Sequence, residues 1–297
     1  MTQGNGADEA SVERSYESMT AMDPDTAGTI LREVKQIFEQ VNTPFFLRQG
    51  TCLGAVREKD FIRWDDDIDL GSIIGLHGFT EDMIEPALAA FRNRGFYAEA
   101  EPNQEYVSAT LMKSFIRIDW SCYRILGDKI IHFPGVPIPV RVVTQMEEID
   151  FAGDTFRVPS PPEDYLAAKY GPYWMTPKST GYEKDILALI SDHPYAQDQS
   201  TAEQSSEPSP IRLRILDRHD EPVRGAQIRV VRYGNFVTDE QGYVELRLPD
   251  YPWYALIITH GDHEEVLYQE RLHRGSAYVY RPDPSKTTGR FMALTQE

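Results

Sequence analysis

The chain has 297 residues, enough for about two domains and for a core that needs neither disulfides nor a structural metal. Hydrophobic residues make up 41% and charged residues 26%, ordinary globular proportions that exclude disorder throughout. The formal net charge is −17, which disfavours broad binding to nucleic-acid polymers or anionic membranes.

The charge is uneven. Residues 1–207 hold 18 basic and 34 acidic side chains, a net of −16, and residues 208–297 carry only −1. The acidic excess is either a solvated surface or, in part, a cation site. The only two cysteines, Cys52 and Cys122, supply no disulfide framework and no four-ligand zinc site. They suggest a reducing, cytoplasmic setting. No apolar run approaches the roughly 18 residues that span a bilayer, and the first residues do not read as a signal peptide.

In chain order, residues 1–22 are polar and read as a mobile leader. A helix is expected from Asp25 or Thr26, with Ile30, Leu31, Val34, Ile37, Phe38 and Val41 on one face and Pro44 beyond its end. Phe45–Leu47 reads as a short strand entering Gly50-Thr51, Cys52–Glu58 as a helical turn, and Asp67–Leu70 as a strand with one polar face. Residues 80–94 read as a helix with Met83, Ile84, Leu88 and Phe91 inward. Tyr106–Leu126 and Lys129–Phe133 read as strands joined at Gly127-Asp128, and Phe151–Val158 as a hairpin turning at Gly153-Asp154. Pro161-Pro162-Glu163 opens a helix carrying Tyr165, Leu166 and Tyr170, stopped by Gly171-Pro172.

The expected domain plan is a mixed α+β domain over 23–195, a linker over 196–210, a small all-β sandwich over 211–283 and a loose tail over 284–297. The linker contains no large apolar residue. Beyond it, short β-like runs alternate with Gly, Pro and Asp turns.

The most informative stretch is Gly50–Arg57 followed by Phe61–Leu70, with Asp65, Asp66, Asp67 and Asp69 in five positions. Like charges this close raise one another's pKa unless a cation joins them. Residues i and i+2 of a strand share a face, so Asp67 and Asp69 project together while Ile68 and Leu70 anchor the strand. Such oxygen ligands suit Mg²⁺ or Mn²⁺. Asp119, between Ile118 and Trp120 in a β-like run, offers a third carboxylate and a candidate base. Two metals so held can clamp phosphates. Gly50 and Thr51 offer backbone donors to a phosphate, and Arg57 can stabilise charge on a transferring group. Lys113 and Arg117 either contact phosphates or form a solvated strand face. The bland alternative for the cluster is a solvated acidic turn or a weak Ca²⁺ site.

Residues 50–70, GTCLGAVREKDFIRWDDDIDL, closely resemble the signature of the LicD and fukutin-related family. The resemblance implies transfer of a phospho-alcohol, such as phosphocholine or ribitol phosphate, from a CDP-activated donor to a glycan. It also implies a fold similar to the polymerase-β-type nucleotidyltransferases: a Gly-Ser/Thr turn, an acidic-x-acidic strand and a later acidic strand. These features fall on Gly50-Thr51, Asp67/Asp69 and Asp119, which implies metal binding at the three aspartates. Residues 159–173 look like the family's closing element. Arg63, Asp60 and Cys52 depart from its usual Pro, Gly and aliphatic residue. Residues 211–260 resemble carboxypeptidase-regulatory-like, transthyretin-like modules, commonly accessory.

Two other functions stay open from sequence: nucleotidyl transfer onto a small molecule or protein, and a non-catalytic glycan- or protein-binding chain. The scattered histidines, among them His193, read as surface or hydrogen-bonded groups, and His260 with His263 as at most a weak chelating pair. Tyr251, Trp253 and Tyr254 read as core or turn aromatics, and Lys169-Tyr170 as helix packing.

Overall fold

The computed structural model describes residues 6–190, 209–249, 251, 253–283 and 290–297. Most of the expected linker and His193 lie outside the described residues. The chain divides into two compact units, Met1–His132 with Pro137–Pro177, and Phe133–Val136 with Lys178–Glu297. Residues 178–190, read from sequence with the first domain, therefore group with the second unit.

The first unit opens with helix α1 (Glu9–Ser18), where a mobile leader was expected. Its start is capped by Asp8, whose side chain accepts from Ser11 N at 2.8 Å, and Ser11 and Val12 are buried. Helix α2 (Pro24–Gln40) buries Ile30, Leu31, Val34, Ile37 and Phe38. Its cap is Asp23 rather than Asp25 or Thr26, because Pro24, with no N–H to satisfy, takes the first helical position.

Strand β1 (Phe46–Leu47) leads into α3 (Gln49–Leu53), continued by a π-turn over Gly54–Glu58. Strand β2 (Asp67–Ile73), helix α4 (Ile84–Asn93), and strands β3 (Tyr97–Pro102), β4 (Tyr106–Lys113) and β5 (Ile116–Tyr123) follow. The strand expected over Tyr106–Leu126 is in fact the β4–β5 hairpin. Its turn, Ser114-Phe115, has φ of 53° and 62° and no glycine, asparagine or proline to announce it. The five strands form one mixed sheet in the order β1-β2-β5-β4-β3. β2 and β5 are parallel neighbours with Asp67 opposite Arg117 and Asp69 opposite Asp119. The other face of this pair is apolar, with Ile68, Leu70, Ile118 and Trp120 buried.

Beyond the sheet, β6 (Lys129–His132) pairs with β7 (Val136–Pro139), and β8 (Met146–Phe151) with β9 (Asp154–Pro159). Only an isolated bridge, Leu126 to Lys129, spans Gly127-Asp128. Helix α5 (Pro162–Tyr170) buries Tyr165, Leu166 and Lys169 and stops at Gly171.

The second unit contains helix α6 (Tyr182–Leu187) and strands β10 (Ile211–Ile215), β11 (Gln227–Val230), β12 (Gly234–Val237), β13 (Tyr243–Leu246), β14 (Tyr254–His260), β15 (His263–Glu270), β16 (Ala277–Tyr280), β17 (Arg290–Phe291) and β18 (Thr295–Gln296). They form a four-stranded sheet, β13-β10-β16-β18, and a five-stranded sheet, β12-β11-β14-β15-β17. Both sheets contribute to one apolar cluster that includes Leu213, Tyr280, Ile228 and Leu256. The described part of the tail is paired rather than loose. Glu270 accepts the amides of Ala293 at 2.7 Å and Leu294 at 3.1 Å, which holds β17 and β18 to the sheets. Among the described residues no helix is long and apolar enough to cross a membrane.

Candidate active site

The parallel β2–β5 pair brings Asp67, Asp69 and Asp119 to one face near the strands' N-terminal ends. Two arginines lie among them. Arg48, buried just before α3, donates from Nε to the Leu70 carbonyl at 2.7 Å and from Nη2 to the Asp119 carbonyl at 3.0 Å. Its Nη2 also stands 3.1 Å from Asp69 Oδ1. One side chain therefore ties the backbones of β2 and β5 together beside a carboxylate. Arg117 is also buried. Its Nη2 lies 2.8 Å from both Asp66 Oδ2 and Asp67 Oδ2, and its Nε lies 3.6 Å from Asp119 Oδ2.

The Gly50-Thr51 turn serves the aspartates directly. Gly50 N donates to Asp69 Oδ2 at 2.9 Å, and Thr51 Oγ1 accepts from Asp69 N at 2.8 Å. A methyl group at Gly50 would lie 2.6 Å from Asp65 Oδ2, so glycine is required by close approach of a carboxylate. The turn is braced by α5, whose Tyr165 hydroxyl accepts from Gln49 N at 3.0 Å.

Two residues expected at the site are engaged elsewhere. Arg57 donates to the Trp174 carbonyl at 3.0 Å and pairs with Glu58 at 2.8 Å. Lys113 pairs with Glu33 at 2.7 Å and covers the Phe96 ring.

The electrostatics follow from burial. Desolvation, helped by the neighbouring carboxylates, pushes Asp119 up to about 8 although Arg117 opposes it. Asp66 and Asp69 are pushed up to about 6 for the same reason, and Asp65 is raised as well. Behind them, burial draws Lys169 down to about 7. His132, stacked on Tyr123 at 4.3 Å, is held neutral by burial.

The donor set fits a hard cation. Asp65, Asp66 and Asp67 each present an oxygen within 4.8 Å of the others. Asp65 Oδ2 is buried with no hydrogen-bond partner. All-oxygen ligands of this kind suit Mg²⁺ or Mn²⁺. In this arrangement Asp69 is the most restrained of the acids, with one oxygen on Arg48 and the other on Gly50.

Sequence reasoning passed over Arg48 and the α1 pair Ser15 and Tyr16. Arg48 was legible as a charge at the end of an apolar strand, and Tyr16 as an aromatic four residues after Val12 behind an Asp cap. Of the other aromatics, Tyr254 is buried, and its hydroxyl accepts from Tyr251 N at 3.1 Å.

Residues 42–161 match the family model described as LicD/FKTN/FKRP, nucleotidyltransferase domain. Two curated relatives are similar. One is "Ribitol 5-phosphate transferase FKRP" from Homo sapiens, 27% identical over 149 residues, covering 48% of this chain and 30% of the relative. Its Mus musculus counterpart is 26% identical over the same length and shares. The chain thus spans about a third of the length of the curated relatives it matches.

Proposed function

We propose that the first unit is a metal-dependent phosphotransferase of the LicD type, with a nucleotidyltransferase-like fold. It moves a phospho-alcohol from a CDP-activated donor onto a glycan hydroxyl. The observation that carries this reading is the register of β2 and β5. It sets Asp69 beside Asp119 and Asp67 beside Arg117, within a segment that matches the LicD model.

Asp67, with Asp65 and Asp66 close by, and with Asp69 and Asp119, would hold Mg²⁺ or Mn²⁺. When bound, such a cation neutralises phosphate oxygens and the charge that develops on them. Arg117 is placed to take up phosphate charge once cations share its carboxylates. Asp119, once bound cations have displaced its proton, would accept the proton of an attacking hydroxyl. Gly50, Thr51 and Arg48 hold Asp69 and the strands in place. The second unit, whose two sheets share a core, is an accessory module of the transthyretin-like kind.

The test is calorimetric titration with Mg²⁺ and CDP, followed by a donor screen across CDP-choline, CDP-ribitol and CDP-glycerol with released CMP measured. Asp67→Asn should abolish Mg²⁺ and CDP binding. Undiminished binding in that variant refutes the site. The family model's own description, a nucleotidyltransferase domain, favours one second reading. In it the product carries the nucleotide, and mass spectrometry of the product separates the two.

A further inference from the structure

Residues 6–22 run along the acid-bearing end of β2 and β5 and touch it at several points. Gly6 O accepts from Phe115 N at 3.2 Å, and Met22 N donates to Asp65 O at 2.8 Å. Between these anchors lies α1. Ser15 Oγ accepts from Arg117 Nη1 at 2.9 Å, and the Tyr16 ring lies 4.2 Å from the guanidinium carbon. The Tyr16 hydroxyl donates to Asp119 Oδ1 at 3.5 Å.

A general base must sit within hydrogen-bond reach of the hydroxyl it deprotonates. Whatever hydroxyl is bonded to Asp119 therefore stands in the acceptor's position. Tyr16 supplies such a hydroxyl on a flat ring stacked against a cation, much as a sugar ring presents one. We propose that the face formed by Asp119 and Arg117 is the acceptor subsite, and that α1 is its built-in occupant, which a hydroxyl-bearing sugar ring must displace. This inference rests on the transferase reading above, in which Asp119 is the base.

The helix is made to leave. It has ten residues, and isolated helices below about 12–15 residues are marginal in water, so α1 depends on its docking. Only Ser11 and Val12 are buried on it. Glu9, Glu13 and Glu17, at four-residue intervals, are exposed, and like charges at that spacing oppose the helix.

The experiment uses the full chain and its Tyr16→Ala and Tyr16→Phe variants. CDP-ribitol with Mg²⁺ is the probe, water is the acceptor, and CMP release is the rate. Backbone hydrogen exchange is followed in parallel. Loss of the ring contact and the hydroxyl in Tyr16→Ala should raise CMP release about five- to tenfold. Amides within 12–18 should exchange faster in Tyr16→Ala while β2 and β5 stay protected. Tyr16→Phe, which keeps the ring, should fall between wild type and Tyr16→Ala. If all three chains bind Mg²⁺ and CDP but the variants release CMP no faster, the plug is refuted and the transferase reading stands. If none binds either ligand, both are refuted.

Discussion

Replacing Arg48 by Met tests how the site is held together. The substitution preserves much of the side chain's volume but removes an ion pair to Asp69 at 3.1 Å and donors to the Leu70 and Asp119 carbonyls. Removing one partner of a buried pair costs about 3–5 kcal/mol, because the other charge is left uncompensated. For a unit of this size that lowers the unfolding midpoint by about 10 °C. The loss should depend on pH. Asp69 already titrates near 6, so at pH 5 it is largely protonated and needs its arginine less than at pH 8. The assay is urea unfolding of wild type, Arg48→Met, Asp69→Asn and the double variant at both values. A coupling of about 1–3 kcal/mol is expected at pH 8. Additivity within about 0.5 kcal/mol at pH 8, or a loss as large at pH 5, would refute the claim that Arg48 acts through Asp69.

Four further outcomes follow. Asp66 and Asp69 titrate near 6 and Asp119 near 8, so Mg²⁺ binding should tighten from pH 6 to 8 with proton release, measured by calorimetry in two buffers. Without metal these acids keep protons that the unfolded chain gives up near 4, so their contribution to stability should fall as pH rises from 4 to 8, read as denaturation midpoints. Gly50→Ala should destabilise the ligand-free chain by about 1–3 kcal/mol, because its methyl meets Asp65; a glycine needed only for phosphate would leave that chain unchanged. Glu270→Ala should speed exchange of the Ala293 and Leu294 amides by about tenfold, since each loses its side-chain acceptor.

Much of the fold was legible because its signals are local. The apolar period of α2 and the alternation at Asp67–Leu70 each concern a few consecutive residues. The Ser114-Phe115 turn was not legible, because its positive φ values fall on residues that do not advertise them. At the site, the three aspartates could be placed on adjacent strands from their patterning. The partners of Arg57 and Lys113 could not, since Trp174 and Glu33 come from distant parts of the chain. Arg48 escaped for a related reason: its value lies in two carbonyls and a carboxylate that meet only when β2 pairs with β5.

The two buried arginines also set the electrical balance of the acidic cluster. Asp65, Asp66, Asp67, Asp69 and Asp119 formally carry five negative charges, and Arg48 with Arg117 returns two, leaving −3. Protons or cations can make up that deficit, and burial together with this excess of negative charge raises the acids above their usual range. On the proposed reading, one divalent ion would reduce the balance to −1 and a second would reverse it to +1, the sign that suits a diphosphate. The cluster by itself is thus short of positive charge. On that reading, protons would be placeholders for the cations that replace them.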